Sequence, residues 1–157
     1  MRVLAGAVAV LAGVAALAFG RRPGREPAAQ AELDRAVAAV DRELAADLEL
    51  TTMFDQTRQA FVLENGQFAL HADVLAREVP QVHGHLADLY VRIPETESAM
   101  ERRGPANTLK DEDRLIVEGW EGDARALQVA LRSAAAAPPP SPLERLIARL
   151  GVRLPFR

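Results

Sequence analysis

The chain has 157 residues, a formal net charge of -3 and no cysteine. That length allows one modest domain, and the missing thiol excludes disulfides, zinc ribbons, thiol catalysis and a lipid anchor attached through cysteine. Aromatic residues make up 4%, so a core must be built from Leu, Val and Ala, and helical periodicity without regularly spaced turns indicates an all-α chain.

Residues 3–20, VLAGAVAVLAGVAALAFG, are uninterruptedly apolar or small and are closed by Arg21 and Arg22. A helix over this run measures roughly 27 Å, close to the ~30 Å hydrocarbon core of a bilayer. Residues 1–20 are expected to be an uncleaved transmembrane anchor whose apolar body is Val3, Leu4, Val8, Leu11, Val14, Leu17 and Phe19. A cleaved signal peptide is the alternative, with Arg2 as its basic start and Ala16-Leu17-Ala18 as its cut. It would leave Arg21, Arg22 and Arg25 at the mature start, where positive charge resists translocation. A buried soluble helix is disfavoured by the flanking arginines. Arg21, Arg22 and Arg25 also outnumber the N-terminal charges, which predicts a single-pass protein of the inner membrane with its soluble part cytoplasmic. Ala5, Ala9, Ala12, Gly13, Ala16 and Gly20 share one stripe, a spacing that lets two membrane helices approach and leaves a homo-oligomer open.

Residues 21–27 (RRPGREP) form a connector, and residues 28–133 are expected to be a small antiparallel helical bundle. Its first helix runs from about Ala28 to about Val62, with an apolar stripe of Leu33, Val37, Val40, Leu44 and Leu48. Thr51 and Phe54 continue the stripe, Arg58 interrupts it, and Asp47 is read as a flank position facing water. Glu64-Asn65-Gly66 is a turn signal. Phe68, Ala72, Leu75, Val79, Val82, Leu86, Leu89, Ile93 and Met100 then follow a coiled-coil-like heptad spacing that only Thr96 breaks. Pro80 and Pro94 divide this stretch: a helix ends near Glu78, another starts at Pro80, and Pro94 brings a kink or restart. Thr108-Leu109-Lys110-Asp111 has the form of a capping box. A third long helix extends from there to about Ser133 with Ile116, Trp120, Ala124, Leu127 and Leu131 on one face. Leu75, Val82, Leu86, Leu89, Ile93, Trp120 and Leu127 are the expected packing residues, and Tyr90 and Trp120 are expected to keep a polar edge wet.

Residues 134–142 are a stiff Ala/Pro-rich linker, and residues 143–157 are a basic amphipathic tail. Leu143, Leu146, Ile147 and Leu150 make its apolar face, with Arg145, Arg149 and Arg153 off it. That pattern suits a helix lying in the headgroup boundary of a membrane. The same face would serve for docking on the bundle or on a partner helix.

No constellation for chemistry emerges. His83 and His85 lie two apart and point away from each other on a helix, and no Glu-x-x-His pair is present, so no metal site is expected. No nucleophile elbow or phosphate-binding loop occurs, so neither catalytic residues nor a cofactor is expected. Residues 1–25 carry +4 and residues 133–157 carry +3, which leaves -10 on the centre. An acidic centre repels nucleic acid, so the expected partners are the membrane and an unidentified protein or second copy. The sequence therefore suggests a membrane-anchored helical interaction or scaffold protein rather than an enzyme. A membrane-tethered ligand-binding or sensing module is the alternative, which needs a pocket with convergent polar groups.

Overall fold

A computed structural model of the chain describes residues 24–102, 108–139, 141 and 150. Among them all regular structure is helical: α1 (Pro27–Thr57), α2 (Gly66–Glu78), α3 (Pro80–Val91), α4 (Ile93–Glu101) and α5 (Asp111–Ala136). None of these helices is long and apolar enough to cross a membrane. The expected anchor, residues 1–20, lies outside the described residues.

Pro27 sits in the first turn of α1, where its missing N–H costs nothing. The helix then buries Leu33, Ala36, Val37, Val40, Leu44, Leu48, Thr51 and Phe54 along one face. It stops at Thr57 rather than near Val62. Arg58 adopts the left-handed region with φ 56°, donates its N–H to the Phe54 carbonyl and lays its guanidinium 5.6 Å from the Phe54 ring centroid.

The apolar heptad line does not form one kinked rod. Val79 leaves helical geometry (φ -137°, ψ 55°), since the residue before a proline is pushed out of the α region, and the chain reverses there. The proof is the Phe68 ring, which stacks on Tyr90 at 4.5 Å and on His83 at 5.7 Å. In a continuous helix Phe68 and Tyr90 would stand about 33 Å apart. The three amphipathic helices expected from the sequence, the middle one divided at Pro80 and Pro94, are thus four limbs: α1, α2, the α3–α4 pair and α5. Ion pairs fix their directions. Arg77 meets Glu32 between α2 and α1, Arg92 at the end of α3 meets Asp123 of α5, and Arg132 grips Asp41 with two bonds of 2.8 and 2.9 Å between α5 and α1. The result is an up-down-up-down bundle.

α4 restarts at Ile93 with Pro94 in its first turn, as the sequence indicated. Thr96 does not break the apolar stripe. It is fully buried and returns its hydroxyl to the Arg92 carbonyl at 3.0 Å, which hides its polar atom. α5 begins at Asp111, with no side-chain cap from Lys110, and is favoured by Asp111, Glu112 and Asp113 against its N-terminal dipole. Val117 takes the inner position beside Trp120 while Ile116 is half-buried. α5 continues past Ser133 to Ala136, and Ala137 turns extended before Pro138.

All seven expected packing residues, Leu75, Val82, Leu86, Leu89, Ile93, Trp120 and Leu127, are buried in one continuous core. Tyr90 and Trp120 are buried as well, without wet edges. The Trp120 indole N–H donates to the Leu89 carbonyl at 3.3 Å and the Tyr90 hydroxyl to Glu43 at 2.8 Å. Leu86 and Leu89 are fully enclosed, so Leu86→Ala or Leu89→Ala should each lower unfolding free energy by about 2–5 kcal/mol. Denaturant titration followed by circular dichroism measures this, and a midpoint unchanged from wild type would contradict the core position.

Candidate functional site

Two features outside ordinary apolar packing stand out: a cluster of buried carboxylates at one side of the bundle, and a groove on the other.

The carboxylates hold the segment between α1 and α2. Residues 58–65 have no regular structure, so their buried backbone donors need acceptors from elsewhere. Glu43 and Asp47 project from α1 toward this segment, and Glu97 comes from α4. Glu43 accepts from the N–H groups of Gln67 and Phe68 at 2.6 and 3.0 Å and from Tyr90. It therefore caps α2 from a different helix, in place of its own N-cap residue Asn65, whose side chain makes no cap bond. Asp47 accepts from Glu64 N–H at 2.9 Å, and Glu97 from Leu63 N–H at 2.8 Å.

Asp47 is a correction to the sequence reading, which placed it in water. It is completely buried. Burial is the main force pushing its carboxyl up to about 7, opposed by the Glu64 N–H bond and reinforced by the charges of Glu43, Glu64 and Glu97. Its second oxygen, Oδ2, is enclosed without a partner. Burial also raises the Tyr90 hydroxyl, helped by the hydrogen bond to Glu43. His83, stacked on Phe68, is held below the ordinary histidine value mainly by burial, with Asp73 acting the other way. A buried, hydrogen-bonded acid of this kind is a structural device with a pH dependence. It lacks the open access that general acid–base chemistry requires.

The groove lies between α3 and α5 and has a volume of about 970 Å³. It exists because α5 presents Ala126, Ala130 and Ala134 in a row four residues apart, and side chains this short leave a trough beside α3. Val82 and Leu127 form its floor, and Val129 stands on its rim with 64% of its surface exposed. Gln81, His85 and Asp88 line it from α3, and the Arg92–Asp123 ion pair lies at its far end. The Gln81 side-chain nitrogen is enclosed and has no acceptor.

The end of the groove at Gln81 and Ala134 is where the bundle's own ends meet. Arg25 is almost fully buried there. It pairs with Glu78 at 3.2 Å and donates to the carbonyls of Ala135 and Ala137 at 3.2 and 2.8 Å. Sequence reasoning treated Arg25 as a free connector charge. It instead caps the C-terminus of α5, where cations are favoured, and no pattern in the sequence marks a contact across such a distance in the chain.

Of the expected site residues, Val82 and Leu127 are brought together in the groove floor. The anchor residues, Arg21, Arg22, Leu143, Arg145, Leu146, Ile147, Arg149 and Arg153 lie outside the described residues. Leu150 is described and is 70% exposed. Among the described residues no three side chains converge as metal ligands. Comparison with known protein families, curated proteins and solved structures finds no match to this chain.

The Asp47 geometry makes a signed prediction. Its folded pKa, about 7, exceeds its ordinary value of 3.8. Its contribution to stability is complete below about pH 4 and is lost as pH rises through 7. Asp47→Asn keeps an acceptor for Glu64 N–H and cannot ionise. The variant's Tm should therefore gain a few degrees on wild type between pH 5 and pH 8, as read by thermal melts. A constant difference across that range would contradict it.

Proposed function

We propose that this chain is a membrane-anchored helical interaction module of the inner membrane, with its bundle on the cytoplasmic side and no catalytic chemistry of its own. The observation that carries the reading is the meeting of both ends of the bundle at Arg25. Residue 24 and residue 137 leave the same end of the structure, so an anchor at residues 1–20 would place the bundle end-on to the bilayer with its long sides available to partners. The groove and its exposed rim supply one such side. The acidic centre, -10 between the basic ends, supports the same arrangement, because anionic lipid repels it and attracts the flanks. Arg25 keeps its weight in the orientation despite its pairing with Glu78, since orientation follows Lys and Arg and acidic neighbours count little.

A second reading has one specific observation in its favour. The enclosed Gln81 nitrogen without an acceptor, in a groove that also holds His85 and Asp88, is what a membrane-tethered ligand-binding or sensing module would offer. Ligand would then raise the melting temperature of the bundle, whereas a protein partner would co-purify with it after extraction in mild detergent.

The anchored reading predicts that the full chain stays in the membrane fraction after alkaline carbonate washing. An alkaline phosphatase fused after Arg157 should be inactive, and a cytoplasmic reporter at the same place active. Phosphatase activity would overturn the orientation, and a mature protein starting near Phe19 would overturn the anchor.

A further inference from the structure

We propose that the groove between α3 and α5 is the docking site of this chain's own C-terminal segment, residues 143–157, folded back along α5. The sequence pattern offers this segment a membrane surface or a protein surface, and the structure supplies a protein surface of matching form. The groove's α5 wall, from Ala134 back to Asp123, is roughly 16 Å long, and a helical face from Leu143 to Leu150 is about 10 Å long. The segment begins at the correct end. α5 finishes at Ala136, two residues beyond Ala134, and residues 137–142 form a connection of the length that joins antiparallel helices. Ala137 has already left helical geometry, and Pro139 and Ser141 are half-buried, so the chain stays against the protein after α5.

Shape and charge agree with this placement. A row of alanines four residues apart receives large side chains at the same spacing, which the tail carries at Leu143 and Ile147, with Leu150 three residues further on. The groove holds Asp88, Asp123 and Arg92, a net of one negative charge, and the tail carries +3 through Arg145, Arg149, Arg153, Arg157 and Glu144. Val129 is 64% exposed on the groove rim, and Leu150, the one described residue of the tail, is 70% exposed. Docking buries them together. In an antiparallel register Leu143 lies opposite Ala134 and Ile147 opposite Ala130.

The cysteine-free chain makes the test clean. Ala130→Cys with Ile147→Cys is built into the full chain, purified in mild detergent and again in nanodiscs of anionic lipid, then oxidised gently. The expected result in both is an intrachain disulfide forming at least tenfold faster than in a control pair, Ala69→Cys with Ile147→Cys, on the opposite limb. Ala134→Cys with Leu143→Cys repeats the measurement at a second site, and circular dichroism checks that each variant folds. A rate no faster than the control overturns the proposal, and a disulfide found only between two chains assigns the groove to a second copy instead. Loss of the intrachain disulfide in anionic nanodiscs alone assigns the tail to the bilayer and equally overturns it. The outcome is independent of the anchor: a chain recovered in the soluble fraction would end the anchored reading and leave this crosslink as it is.

Discussion

The Glu43 carboxylate ties three limbs of the bundle through three hydrogen bonds. It leaves α1, closes two open N–H groups at the start of α2, and receives the Tyr90 hydroxyl from α3. Without it the first turn of α2 would lose the acceptor of two partly buried donors, and Tyr90 would hold a hydroxyl in the core with nothing to bond. The aromatic stack of Tyr90, Phe68 and His83 rests on the same point, so the reversal at Val79 and the capping of α2 stabilise each other. Asp47 and Glu97 extend the arrangement to Glu64 and Leu63. The irregular segment after Arg58 is thereby satisfied by carboxylates where a strand would have used a ladder. Burying these acids has a cost, and Asp47, the most enclosed, carries it as a carboxyl pushed up to about 7, mainly by desolvation and further by its acidic neighbours.

Much of this was legible in the sequence, for reasons that separate from what was not. The heptad spacing identified the inward residues from Leu75 to Ile93 because periodicity reports which side chains share a face. It could not report the reversal at Val79, since an inward face is inward on either side of a hairpin. Pro80 marked the break, but a proline ends a helix without saying where the chain goes next. Asp47 shows the opposite failure. It lies three residues after Leu44 and four after Glu43, squarely on the buried stripe, and only its charge argued for water. The period was the better guide than the residue type. Thr96 is the same case in milder form. Trp120 and Tyr90 were expected to be half-wet because their acceptors, the Leu89 carbonyl and Glu43, come from other helices.

The groove was invisible for a related reason. Ala126, Ala130 and Ala134 are ordinary helix formers in an alanine-rich chain, and a row of them means a trough only once α3 is known to lie alongside. Arg25 was likewise counted by charge rather than by place. In the structure it joins the beginning of α1 to the ends of α2 and α5, so one buried guanidinium gathers the connector, the start of α3 and the exit of the chain at a single pole of the bundle.

That pole determines what competes for the tail. Its connection starts at Ala137, within a few residues of the groove's mouth, so the groove meets the tail at the high effective concentration that a short link gives. An anchor at residues 1–20, as proposed, would bring the bilayer to the same pole. Charge does not separate the two surfaces, because the acidic bundle and anionic lipid both attract arginine and salt weakens both. The apolar term separates them. A preformed trough with alanine-sized spacing receives Leu143, Ile147 and Leu150 side by side, while a single short face in the headgroup boundary gains burial only for a helix that must first be ordered at its own entropic cost. A neighbouring limb lowers that cost by giving the tail a second helix to pack against. The geometry that brings the chain ends together is therefore also what favours the bundle over the bilayer as the tail's resting place.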